Sequence, residues 1–190
     1  MRYATVGNDT THTVLELDQP TPTLFVDYDG TLHRGHALLD ENGEISLDSG
    51  QPLFEYAPLL AEMLEPYPGV QIVLTTSWLQ KLPVEQVIAY LPPALAMRVV
   101  DTTRGFKPRI SYLRDGCGRT DVIRSYVFEK RLKNWLAIDD SVYGAYHLST
   151  SFLDLSTHLV LLDSQHGIGD AQVQQRIREW LADVHTDGAS

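Results

Sequence analysis

The chain has 190 residues and a formal net charge of −10. Apolar residues make up 43% of it, ordinary for a globular protein and too high for a disordered one. No apolar run approaches the roughly 20 residues that a membrane-crossing helix needs.

The start of the chain shows no charged-then-apolar signal pattern. Cys117 is the single cysteine, so no internal disulfide can form, and a reducing cytoplasm is the expected home. Nothing near Cys117 in sequence resembles a base that would make it a nucleophile. The charge is uneven: residues 98 to 133 hold ten Lys and Arg against four Asp and Glu, leaving five basic and twenty-one acidic residues elsewhere. Such a segment reads either as solvated faces or as a basic wall that attracts a phosphorylated substrate. The overall acidity argues against general nucleic-acid binding.

In chain order, residues 1 to 20 read as a polar lead-in with a short edge strand at Thr13 to Leu17, followed by one domain over 21–190. Thr23-Leu-Phe-Val-Asp27 is a consecutive apolar run ending in an acid, the pattern of a buried parallel strand. Residues 33 to 52 form the largest polar insertion, expected to overhang the strand end as a small flap. Apolar positions 53, 54, 57, 60, 61 and 64 predict a helix over 53–64, closed by Pro66 and Pro68-Gly69. Val70 to Thr75 is a second strand. Pro83 to Leu91 is a helix stopped by Pro92-Pro93. Met97 to Asp101 is a third strand. Thr120 to Leu132 is a helix with Thr120 as its N-cap. Trp135 to Asp139 and His158 to Asp163 are the fourth and fifth strands, and 170–184 is a closing helix. Strands alternating with helices predict an α/β fold: a Rossmann-like parallel sheet of about five strands covered on both faces, with little or no cap domain. Ligands of such sheets sit beyond the carboxyl ends of the strands. Here those ends carry Asp27, Thr75, Asp101, Asp139 and Asp163.

The sharpest chemical signal is Asp27-Tyr28-Asp29-Gly30-Thr31 directly after a buried strand. Gly30 points to a sharp turn that aims two carboxylates at one place. One carboxylate kept ionised by a cation can attack phosphorus, and the other can shuttle a proton. An isolated DxDG can equally be an Asx turn. Absent are HExxH, paired cysteines, GxxxxGK[ST] and GxGxxG, so zinc chemistry and those nucleotide loops are not expected. His33, His36 and His166 lie in loops, where a histidine usually contacts no substrate. Trp78, Trp135 and Trp180 read as core residues.

DxDGT on the first strand, LTTSW on the second and an acidic pair on the fourth resemble the haloacid dehalogenase (HAD) superfamily. The segments LFVDYDGTLH, PLFEYAPLLAEML, VQIVLTTSW, NWLAIDDS and LVLLDSQHGIG are most similar to the HAD domain of Swiss Army Knife RNA-repair proteins. The resemblance spans roughly residues 23 to 184. It implies a Mg2+-dependent phosphatase in which Asp27 is the nucleophile and a metal ligand. Asp29 would act as general acid and base, its main-chain carbonyl touching the metal. Thr75 would bind phosphate oxygens, with Thr76 and Ser77 next in line or capping the following helix. Asp139 and Asp140 would hold Mg2+. The family expects a lysine before the fourth strand. Arg119 fits that place best and Lys107 is its rival. The resemblance further implies a phosphorylated RNA or DNA end as substrate. The alternatives are a small-metabolite or nucleotide phosphatase, or a non-catalytic binding module on the same fold.

Overall fold

The computed structural model of the chain describes residues 19–106, 118–141 and 157–187. The edge strand expected at Thr13 to Leu17, together with Lys107 and Cys117, lies outside the described residues.

Five parallel strands form the centre: β1 (Thr23–Val26), β4 (Gln71–Leu74), β5 (Val99–Thr102), β6 (Trp135–Asp139) and β7 (Leu159–Leu161), in the order β5-β4-β1-β6-β7. β1 is in the middle, and Thr23 through Val26 pair in register with 71–74 on one side and 135–138 on the other. Every residue of β1 is buried, as the unbroken apolar run predicts for a strand covered on both faces. The two faces take alternate side chains. Leu24, Val26, Ile72, Leu74, Leu136 and Ile138 belong to one core with α1 (Ala57–Leu64) and α5 (Ala171–Asp187). Phe25, Val73, Trp135 and Ala137 belong to a second core with Ile123 and Tyr126 of α4 (Gly118–Lys130). Phe25 is clamped edge-on by Tyr126 and Trp135, with ring centroids 5.4 and 5.9 Å away. The sheet therefore carries helices on both faces, the Rossmann-like arrangement expected from the alternation of elements. Two short helices, α2 (Val84–Ala89) and α3 (Pro93–Ala96), link β4 to β5.

The insertion after β1 contains an antiparallel hairpin, β2 (Ala37–Leu39) with β3 (Ile45–Leu47). Its approach is pinned to the body by Arg34, whose Nε and Nη2 each donate at 2.8 Å to the Glu55 carboxylate.

Beyond shifts of a residue or a few at element ends, three differences from the sequence expectations have a local cause. The helix expected from Leu53 begins only at Ala57, because Phe54 has φ +58, a left-handed conformation no helix continues through. Thr120 is not an N-cap: α4 is already helical at Gly118, so Thr120 is an interior, buried residue. Pro92-Pro93 does stop one helix, but Pro93 then opens α3, and β5 consequently starts at Val99 rather than Met97. No helix among the described residues is long and apolar enough to cross a membrane.

Candidate active site

Asp27 follows the last residue of β1, and Asp139 ends the neighbouring β6. The pairing of Val26 with Ile138 puts these two acids side by side although 112 positions separate them in sequence. Asp140 follows at once, and carboxylate oxygens of Asp27, Asp139 and Asp140 all lie within 4.8 Å of one another. All three are buried, with Asp27 only 2% exposed. Burial first, and the neighbouring Asp139 second, push the Asp27 carboxyl well above the ordinary carboxylate range. The same two causes raise Asp140 to about 6.

Among the described residues, one lysine or arginine faces this cluster. Nη1 of Arg119, in the first turn of α4, is 3.6 Å from Asp27 Oδ1 and 3.6 Å from Asp139 Oδ2. Those distances exceed hydrogen-bond range, and this buried nitrogen has no hydrogen-bond partner among the described residues. Three carboxylates carry more charge than one guanidinium balances, so ionising the cluster calls for a further cation. Hard carboxylate oxygens are the donor set that Mg2+ prefers. The cluster therefore fits a divalent ion.

Around it, the Thr75 hydroxyl donates to Asp139 Oδ2 at 3.4 Å, and Ser141 donates to Asp139 Oδ1 through both N–H (2.8 Å) and Oγ (2.6 Å). Thr76 Oγ1 accepts the Trp78 N–H at 3.3 Å and so caps the 3-10 turn Ser77–Gln80. Gly30 makes the turn as the sequence requires, at φ +62. Space also excludes a side chain there: a Cβ would sit 2.2 Å from Asp140 Oδ2.

Asp29 points elsewhere. Tyr28 is fully buried in the core and donates its hydroxyl to the Val87 carbonyl at 3.0 Å, which fixes the motif between the two acids. The Asp29 Oδ1 atom takes Trp78 Nε1–H at 2.9 Å, His33 Nε2 at 3.1 Å and the Ala37 N–H at 3.2 Å. His33 is completely buried and Trp78 nearly so. Loop placement alone gives His33 too small a role, and apolar context gives Trp78 only half of its role. The usable signals are the four-residue step from Asp29 to His33 across a tight turn and the need of a buried indole N–H for an acceptor.

The remaining strand-end acids and loop histidines sit apart. The Asp101 carboxylate accepts the Tyr126 hydroxyl at 2.9 Å, and Asp163 pairs with His166 at 2.9 Å on the exposed surface. His36 lies at the rim, its Nε2 3.9 Å from Asp140 Oδ2. The basic segment does not form one wall among the described residues. Arg98 donates to the carbonyls of Leu64, Tyr67 and Val70 near the opposite ends of the strands, and Lys130 lies against Asp101.

No curated protein and no solved structure gave a significant match to the chain. A family model described as the HAD domain in Swiss Army Knife RNA repair proteins matches residues 23–173. HAD domains are hydrolases in which phosphatase activity and a divalent metal are the general pattern. The matched span opens on the first residue of β1, takes in Asp27, Arg119, Asp139 and Asp140 and runs into α5, and on that match the chain belongs to this family of HAD domains.

Proposed function

We propose that the protein is a Mg2+-dependent phosphatase that hydrolyses a phosphate monoester through an aspartyl-phosphate on Asp27. The observation that carries this reading is the convergence of Asp27, Asp139, Asp140 and the Arg119 guanidinium at the carboxyl ends of two adjacent strands. Mg2+ would be held by the carboxylates of Asp27, Asp139 and Asp140 with the Asp29 main-chain carbonyl, and when bound it supplies the positive charge that lets a phosphate approach a carboxylate.

An Asp27 oxygen attacks phosphorus, and the bond from phosphorus to the leaving oxygen breaks. Asp29 gives its proton to that oxygen. In the second half Asp29 takes a proton from water, the water oxygen bonds to phosphorus, and the Asp27 carboxylate leaves. Arg119 and the Thr75 hydroxyl bind phosphate oxygens, so that most of the acceleration comes from positioning and charge stabilisation. A guanidinium suits this place because its fork can serve a carboxylate and a phosphate together. Lys107, outside the described residues, is the alternative for this cation.

The proposed substrate is a phosphorylated nucleic-acid end, RNA first. Two things support it. The family is described by RNA repair proteins. The insertion after β1 is one two-stranded hairpin, a covering small enough to admit the end of a polymer. The test compares phosphate release from 5′- and 3′-phosphorylated RNA oligonucleotides, the matching mononucleotides and sugar phosphates, at one salt concentration with and without Mg2+. A higher kcat/KM on an oligonucleotide is expected. Equal values on the small molecules would remove the nucleic-acid assignment and leave the phosphatase.

A further inference from the structure

Asp29 is the one carboxylate of the motif that stands outside the acidic cluster, and its surroundings are built differently. Three donors converge on a single oxygen, Oδ1: the Trp78 indole N–H, His33 Nε2 and the Ala37 main-chain N–H. Each donor is itself held. The Phe54 N–H points at His33 Nδ1 from 3.4 Å, which makes Nδ1 the acceptor and leaves Nε2 of the neutral ring as the N–H that faces Asp29. The Phe54 ring stands edge-on to His33 with centroids 5.2 Å apart. Trp78 is wedged edge-on between Tyr28 (5.4 Å) and Tyr90 (5.2 Å). Ala37 is the first residue of β2, so the root of the hairpin is tied to the same atom.

We propose that His33 and Trp78 are positioning residues that clamp Asp29 Oδ1 so that Oδ2 is the oxygen that exchanges a proton with the leaving group and with water. The argument is one of valence and packing. A carboxylate oxygen with three N–H donors on it has no lone pair left for a reacting proton. No donor among the described residues engages Oδ2. Groups locked by packing and by their own hydrogen bonds hold a catalytic side chain within the narrow range of useful geometry, and such outer partners typically matter by about 10–100-fold. The inference rests on the reading of Asp29 as general acid and base.

The test compares Trp78→Phe, His33→Gln and His33→Phe with the unaltered chain and with Asp29→Asn, on p-nitrophenyl phosphate and on an alkyl phosphate monoester. The first leaving group departs without a proton and the second needs one. Trp78→Phe keeps the ring and removes only the N–H. His33→Gln can still donate from its amide, whereas His33→Phe cannot. Thermal melting of each variant identifies any that does not fold.

For Trp78→Phe and His33→Phe, kcat/KM on the alkyl ester is expected to fall by about 10–100-fold, with less than about a threefold fall on p-nitrophenyl phosphate. His33→Gln should recover part of the loss. If the folded variants fall equally on both substrates, or on neither, while Asp29→Asn discriminates between them, the clamp is overturned and the role of Asp29 stands. If Asp29→Asn itself does not discriminate, or the unaltered chain hydrolyses neither ester, the reading of Asp29 fails and the clamp fails with it. Should Trp78→Phe not fold, the contrast between His33→Gln and His33→Phe decides.

Discussion

Asp27 and Asp29 are two residues apart and chemically identical, yet the fold gives them opposite surroundings. Asp27 sits at the end of a central strand among other carboxylates, with one guanidinium close by and burial driving its carboxyl toward protonation. Asp29 lies past the strand end, where an indole, an imidazole and a main-chain amide hold one of its oxygens. The first environment suits a carboxylate that is activated when a cation arrives. The second suits one that must keep a fixed direction, as the role proposed for Asp29 requires. A single motif can thus supply two different tools, because the strand face and the turn that follows it place their residues against different partners.

The most severe way to break the comparison is at Asp27. Asp27→Asn removes the oxygen proposed to attack phosphorus at nearly constant volume, and turnover should fall by more than about a thousandfold with little change in melting temperature. Asp29→Asn should fall by about 10²–10⁴-fold, the usual contribution of a general acid and base. It should slow the second half-reaction in particular, so that phosphate stays on the enzyme in rapid-quench experiments.

A smaller effect is expected from Gly30→Ala, at the turn that follows both acids. The left-handed φ and the contact with the Asp140 carboxylate both oppose a methyl group. Stability should drop by about 1–3 kcal/mol, and the Mg2+ concentration needed for half-maximal activity should rise. Denaturant titration and a metal titration check the two parts.

The smallest effect concerns pH. Asp140 is raised to about 6 by burial and then by Asp139, and Asp27 is shifted in the same direction. Between the ordinary carboxylate range and pH 6 the folded chain retains a proton that the unfolded chain has lost. Stability from this source is therefore present on the acid side and declines as pH rises toward 6. The melting temperature of metal-free protein should fall across that interval. Mg2+ at pH 7 should restore it, because metal binding favours the ionised carboxylates. A metal-free melting curve that is flat between pH 4 and 7 would contradict this.

Much of the charged centre was legible in the sequence. β6 runs over the same residues, 135–139, that the apolar run marks, and the acid at its end is where the cluster needs one. The parallel order follows from alternating elements, because buried strands need helices on both faces. The Asp29 surroundings were much less legible. They depend on Trp78 reaching back across 49 positions and on a left-handed Phe54 that no periodicity reveals. Charge counting left two readings open, solvated faces or one basic wall, for a related reason. Ten basic residues between 98 and 133 look like one surface, but Arg98 serves the carbonyls of a helix end and Arg119 alone among those described faces the acids. The distribution of charge along a chain says little about its distribution over a surface when several of the side chains are bound to the protein itself.

The central claim is that phosphate passes through Asp27. The direct measurement is to mix Asp29→Asn protein with substrate and Mg2+, quench in acid, reduce with borohydride and map the peptides by mass spectrometry. Borohydride converts an acyl phosphate to an alcohol and leaves a free carboxylate untouched. The account predicts substrate-dependent reduction at Asp27 alone, absent when EDTA replaces Mg2+. Release of phosphate by the unaltered enzyme, with Asp27 unreduced in every quenched sample, would contradict it.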